Sequence, residues 1–106
     1  MIDLDRIIRL AIKSKKIYFG SKLALSMARR GRATVIIIAS NSPSRFRSEI
    51  SYYSRLSGIP LYTYNGTNLD LSLACDKRFP VSALAIREIV DSRLLRMLKI
   101  QASEME

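Results

Sequence analysis

The residues best able to do chemistry in this sequence fall in three short polar segments. Gly20, Ser21 and Lys22 follow the apolar triplet Ile17, Tyr18 and Phe19. Glycine lets the backbone approach a ligand closely, and a helix opening there aims free N–H groups at whatever arrives. Ser40, Asn41 and Ser42 follow the longest apolar run, Val35 to Ala39, and stop at Pro43. An asparagine amide both donates and accepts, and a lysine reaches a phosphate or a guanine edge, so these groups suit a nucleic-acid backbone with base edges beside it. Lys77, Arg78, Phe79, Pro80 and Val81 form the third segment. A phenylalanine set among basic residues there is placed to stack on an unpaired base. Each segment also has a plainer reading. Gly20 and Ser21 can be a helix cap, Asn41 a turn residue bonding its own backbone, and Phe79 a lid on the core edge.

Other chemistries find little to work with. Gly-Ser-Lys lacks the earlier glycine of a P-loop, and Lys22 would lie inside the following helix, so nucleotide hydrolysis is excluded. The sequence has no His, the commonest general base and metal ligand. Its single cysteine, Cys75, follows Leu73 and Ala74 and reads as a buried, inert thiol. No catalytic residue, metal or cofactor is therefore expected, and the chain does not read as an enzyme.

The elements that must position these segments alternate between helix and strand. Leu4, Ile7, Ile8, Ala11 and Ile12 recur at helical spacing and predict a helix from Asp3 to Lys13, with Asp3 as its cap. Ile17 to Phe19 reads as a short strand. A second helix is expected from Ser21 to Arg30, with Leu23, Ala24, Met27 and Ala28 on its inner face and Gly31 as its stop. Thr34 to Ala39 is β-branched without alternation, the pattern of a central strand covered on both faces. Ser42 as cap and Pro43 at the first helical position open a third helix that ends at Gly58. It buries Phe46, Ile50 and Tyr53, and its Arg45, Arg47 and Arg55 read as a solvated face.

Leu61 to Tyr64 is a strand, and Asn65-Gly66 turns the chain. Thr67 and Asp70 form a capping box for a short helix through Ala74. Ala83 to Ile89 is a further strand, and Asp91 opens a last helix with Leu94, Leu95 and Leu98. This order predicts an α/β fold, a three-layer α/β/α sandwich whose small mixed sheet carries helices on both faces. One domain, residues 1–100, is expected, followed by a polar tail, 101–106. Ligands of such a sheet bind where strands lead into helices, so the first two segments open on one edge if their strands are parallel neighbours.

Charge names the partner class. The chain has 18 Lys+Arg against 9 Asp+Glu, a net charge of +9 over 106 residues. Small domains usually carry a net charge of magnitude about 2–8, so an excess of this size points to a polyanion, drawn in by counterion release. The run Val35 to Ala39 is far short of the roughly 20 apolar residues of a membrane span. Asp3 and Asp5 near the start do not match a secretory leader. A soluble, intracellular chain with no membrane partner is expected.

Several stretches carry a family likeness. Lys16 to Lys22, Val35 to Pro43, Ser48 to Tyr62 and Phe79 to Ala83 resemble the archaeal and eukaryotic family of large-subunit ribosomal proteins of type thirty, within the group that recognises kink-turn RNA. Glu49-Ile50-Ser51-Tyr52-Tyr53 leading to Leu56-Ser57-Gly58-Ile59-Pro60 is the most specific part, and the likeness spans nearly all of the chain.

The resemblance implies a structural, cytoplasmic ribosomal component whose partners are ribosomal RNA and other ribosomal proteins, monomeric outside the ribosome. It implies that Gly20, Lys22 and Asn41 address the sheared G·A pairs of a kink-turn. Phe79, Pro80 and Val81 would then pack on the bent backbone and the extruded base. With Ser21, Ser40, Ser42, Arg45, Lys77 and Arg78, these make the expected RNA-binding set. The family usually has glycines near Ser72 and Asp76, and the departures there bear on the path of the third segment. Three alternatives stand beside this reading, one of them an interaction scaffold whose basic face meets an acidic protein or lipid. Kink-turn core proteins of small ribonucleoprotein particles typically carry Asn-Glu where this chain has Ser21-Lys22, and a small-ligand-binding α/β module predicts a deep pocket at the strand-end loops.

Overall fold

The computed structural model describes residues 4–87. The elements run α1 (Leu4–Lys13), β1 (Ile17–Phe19), α2 (Ser21–Arg30), β2 (Val35–Ile38), α3 (Ser44–Ser57), β3 (Leu61–Thr63), α4 (Asn68–Ala74) and β4 (Ala83–Ile86). The expected cap Asp3, Ile89 of the last strand, the helix from Asp91 and the tail 101–106 lie outside the described residues.

The four strands form one mixed sheet in the order β1-β4-β2-β3. β2 pairs parallel with β3, while β4 runs antiparallel to both β1 and β2. β2 and β4 are buried along their whole length, and the three-residue strands β1 and β3 form the edges. Short edge strands leave little unpaired backbone to template association.

Side chains alternate across each strand, and both faces are covered. Val35, Ile37, Leu84 and Ile86 meet Ile7, Ile8 and Ala11 of α1 and Leu71 of α4. Ile36, Ile38, Ala83 and Ala85 meet Ala24, Leu25 and Ala28 of α2 and Ile50 of α3. The three-layer sandwich with helices on both faces is thus the observed architecture. Each fully buried isoleucine contributes roughly 1.5–3 kcal/mol of burial. Among the described residues no helix is long and apolar enough to cross a membrane.

Two local expectations are corrected. On α2 the inner face is Ala24, Leu25 and Ala28, while Leu23 is half exposed. The partner surface on β4 is Ala83 and Ala85, and small residues on both sides let α2 approach the sheet closely, which rotates Leu23 outward. At α3, Ser42 does not cap. Pro43 takes the N-cap place at φ −55°, ψ 136°, and no side chain bonds there. The Ser42 N–H closes a turn on the Ala39 carbonyl at 3.1 Å, and the Ser42 hydroxyl is buried without a hydrogen-bond partner. The Pro43 carbonyl accepts the first helical bond, from the Arg47 N–H at 3.0 Å. By contrast, the capping box of α4 is present. Thr67 accepts from the Asp70 N–H, and the Asp70 carboxylate accepts from the Thr67 N–H.

Cys75 packs in the α1/α4 core. Burial pushes its thiol up from 9.0 to about 11, against the opposing pull of Lys77. Alkylation of the native protein at pH 8 is therefore expected to proceed only as fast as the chain opens, whereas the urea-unfolded chain reacts at once. A fast, complete native reaction would contradict this placement. The raised value also sets a sign. The native thiol keeps its proton above the ordinary 9.0, so its contribution to stability is full below that pH and is lost as pH climbs through about 11.

Candidate nucleic-acid interface

The strand directions decide where the polar segments meet. β1, β2 and β3 point the same way and β4 the opposite way. The loops leaving β1, β2 and β3 and the loop entering β4 therefore share one end of the sheet. β1 and β2 are not neighbours, because β4 lies between them, yet both of their loops open on that end. The start of β4 ties them together: Gly20 donates its N–H to the Ala83 carbonyl at 2.9 Å, and Ala39 donates to the Ser82 carbonyl at 2.8 Å. The turn Tyr64–Thr67 joins this end as well, since the Ser40 N–H and hydroxyl both donate to the Gly66 carbonyl, at 2.9 and 2.7 Å.

In the first loop, Gly20 sits at φ 111°, ψ 147° and is the N-cap of α2. That backbone region is essentially restricted to glycine. No side chain caps the helix and its first turn holds no acid. The N–H groups of the first turn have no intrahelical partner, so they and the exposed Lys22 face outward, with Ser21 half-buried beside them. A Cβ built on Gly20 would meet nothing within 4 Å. The glycine is needed for its conformation, and the space above it is open. Gly20→Ala should cost about 1–3 kcal/mol of stability through backbone strain alone, read as a lowered urea midpoint. An unchanged midpoint would mean the loop adopts an ordinary conformation.

In the second loop, Asn41 is clamped across the fold. Its Oδ1 accepts the Asn68 backbone N–H at 2.8 Å, and its Nδ2 donates to Asn68 Oδ1 at 3.1 Å. The amide thus keeps one N–H and spare acceptor capacity for a ligand, with the donors of the Asn68 amide beside it. The bland possibility that Asn41 bonds its own turn is replaced by a contact 27 residues away. Asn68 was not foreseen as part of this surface. Its carbonyl also accepts the Val81 N–H at 3.2 Å, so one residue links the second and third loops.

Arg47 is not part of the solvated face expected for α3. Its Nη2 donates to the carbonyls of Ser40 at 2.6 Å and Ala39 at 3.3 Å, while its Nε is buried without a partner. It braces the strand-to-loop bend that presents Asn41. Arg45, in the first turn of α3, is 85% exposed and pairs with Glu49 at 3.8 Å.

The third loop presents Arg78, Phe79 and Pro80 to solvent, with Phe79 53% exposed. Phe79 therefore does not fold over the core. Lys77 places its ammonium 4.7 Å from the centre of the Phe19 ring, tethering this loop to the first. Val81 is turned inward and buried, so its side chain anchors the loop. Asp76 holds a left-handed φ of 55°, a conformation that favours glycine and that Asp tolerates better than most residues. Ser72 is buried on α4, its hydroxyl donating to the Leu69 carbonyl at 2.7 Å. Both departures from the glycines that the resemblance implies thus fall where a left-handed or small residue is required. A groove lined by Asp5, Arg9, Tyr64, Asp70 and Leu73 is open and lies on the α1/α4 side, not between the three loops.

The α/β sandwich thus gathers exposed amides, a free helix N-terminus, cations and an aromatic at one sheet end, the groups with which proteins meet phosphates and base edges. The chain belongs to the ribosomal protein L7Ae/L30e/S12e/Gadd45 family, whose model matches residues 3–96. It is 38% identical over 97 residues to the large ribosomal subunit protein eL30 of Methanothermobacter thermautotrophicus, covering 92% of this chain and 99% of that one. It is 39% identical over 98 residues to the protein of the same name from Branchiostoma belcheri, covering 92% and 86%. These relatives bear the name of a ribosomal protein, in keeping with the expectation of a non-enzymatic chain. A solved structure of a protein of unknown function from Bacillus halodurans shares the fold, with a TM-score of 0.75 at 16% identity over 97% of this chain and 99% of that one.

Proposed function

We propose that this chain is a structural component of the large ribosomal subunit that binds ribosomal RNA at a kink-turn, reading its sheared G·A pairs. The observation that carries the reading is the clamped Asn41–Asn68 amide pair. The two amides are joined by one bond, and Asn41 is held by the Asn68 backbone N–H as well; the N–H donors left over suit the acceptor-rich edge of a guanine. The free N–H groups after Gly20, with Ser21 and Lys22, take the adjacent phosphate. Ser40 and Ser42 shape the second loop. Arg45, Lys77 and Arg78 neutralise backbone on either side, and Phe79, with Pro80 beside it, stacks on the base that a kink extrudes. Val81 holds that loop in place. Other ribosomal proteins are its further partners in the cytoplasm, and off the ribosome it is a monomer.

Fluorescence anisotropy with a short kink-turn RNA tests this against the same RNA with both G·A pairs replaced by Watson–Crick pairs. The kinked RNA should bind about a hundredfold tighter, since each wrong pair costs about 1–3 kcal/mol. Equal affinity for the two RNAs would reduce the chain to a nonspecific polycation binder.

A further inference from the structure

The basic residues are unevenly placed. Between Ser21 and Ser57 the sequence holds seven of its Lys and Arg residues and a single acid, Glu49. That segment supplies α2 and α3, which together form one helical layer over Ile36 and Ile38. The opposite layer carries acids among its cations, with Asp5 on α1 and Asp70 on α4. Both layers are net basic, and the α2/α3 layer is the less neutralised of the two.

On the α2/α3 side the cations form a band. α2 and α3 both start at the loop end of the sheet and both end at the far one. Their ends touch there, with the Ser57 hydroxyl donating to the Ala28 carbonyl at 3.0 Å. Arg29 and Arg30 in the last turn of α2, Arg32 just beyond it and Arg55 in the last turn of α3 therefore converge. Lys22 and Arg45 continue the band to the loop end, and Arg45 lies about 15 Å from Arg55 along the helix.

Glu49 meets Arg29 at 3.6 Å and Arg45 at 3.8 Å, so it is shared between them. Arg29 also lies 5.1 Å from the Tyr53 ring centre, against which the 60% exposed Tyr52 stands edge-on. Arg30, Arg32 and Arg55 are exposed and pair with no acid among the described residues. One arginine at each helix end would suit the macrodipoles. Four at a shared end repel one another and call for a partner that supplies negative charge.

We propose that the outer face of α2 and α3 is a second RNA-binding surface, which takes the phosphate backbone of a separate double-helical segment, so that the chain clamps two RNA segments at once. Double-helical RNA fits because the far end is all arginine, whose planar fork matches phosphate oxygens, and because Lys22 and Arg45 carry positive charge on toward the loop surface, interrupted only by Glu49. This proposal does not depend on the kink-turn reading.

The test uses the whole chain bound to unlabelled kink-turn RNA, to which a labelled plain RNA duplex is added across a salt series. Wild type should capture the duplex in a ternary complex without displacing the first RNA. Arg30→Gln/Arg32→Gln/Arg55→Gln should weaken that capture by at least about tenfold and flatten its salt slope by about 2–3. Kink-turn affinity should stay unchanged, and the thermal midpoint should not fall. The triple Arg→Lys variant keeps the charge but loses the fork, so it should hold the salt slope while giving up part of the capture. Capture unaffected by the three glutamines, capture only by displacing the first RNA, or tighter binding of a polyglutamate peptide than of the duplex would each overturn the proposal. Loss of kink-turn specificity with arginine-dependent duplex capture intact would overturn the first reading alone.

Discussion

Asn41→Ala should lower affinity for a kink-turn RNA by about 5- to 150-fold, the range set by about 1–3 kcal/mol for one well-made amide contact to a base. Affinity for the G·A-replaced RNA should hardly change, because phosphate contacts carry that binding. The alanine also leaves the Asn68 N–H without its acceptor, which otherwise lies at 2.8 Å. A modest loss of stability is therefore expected beside the loss of affinity, and the two effects need separating. Asn41→Asp separates them. Its carboxylate still accepts the Asn68 N–H, and a flipped Asn68 amide can donate to its second oxygen in place of the lost Asn41 Nδ2 bond, so the loop stays anchored. But it offers no donor and adds negative charge beside the RNA. Specific binding should then fall at least as far as in the alanine variant with the urea midpoint preserved. Specific binding retained by Asn41→Asp would show that Asn41 anchors the loop without reading a base.

Arg47→Met should act through the loop and not through charge. The guanidinium donates to the carbonyls of Ala39 and Ser40 at the point where β2 ends. Hydrogen bonds to charged groups contribute about 1.5–3 kcal/mol each, and methionine keeps the apolar stem while removing both. Stability should drop by about 2 kcal/mol, allowing for the solvent that reaches the Ser40 bond. The preference for kinked over G·A-replaced RNA should shrink by about tenfold, because Asn41 rides on the released bend. The salt slope should fall by less than one phosphate's worth, about 0.9, since Arg47 is turned inward. A full unit lost from the slope, with the preference intact, would make Arg47 a backbone contact instead of a brace.

The contrast between Asn41 and Asn68 shows what the sequence could and could not tell. β2 was legible because Val35 to Ile38 is apolar without alternation, which only a strand covered on both faces needs. The bounds of α2 were legible because Gly20 and Gly31 punctuate it, and the Thr67–Asp70 box because its two halves are three residues apart. These are local signals. The bond between Asn41 and Asn68 spans 27 residues, and only the strand order β1-β4-β2-β3 brings the two loops together.

Leu23 was misplaced for a related reason. Its helical phase depends on Ala83 and Ala85 of the partner strand, more than fifty residues on. Arg47 did carry a local signal. Helix side chains lean toward the N-terminus, so a long cation in the first turn reaches back to the preceding loop. That lean sets Arg47 apart from Arg45 and Arg55, which face solvent.

The most direct measurement of the central claim is a double-mutant cycle between Asn41→Ala and replacement of one sheared G·A pair, read as binding to the kink-turn RNA at fixed salt. If Asn41 reads that pair, removing both should cost less than the sum of the separate losses, with a coupling of about 1–3 kcal/mol. Strictly additive losses would contradict it, and would place Asn41 in the fold of the loop with no part in recognising the RNA.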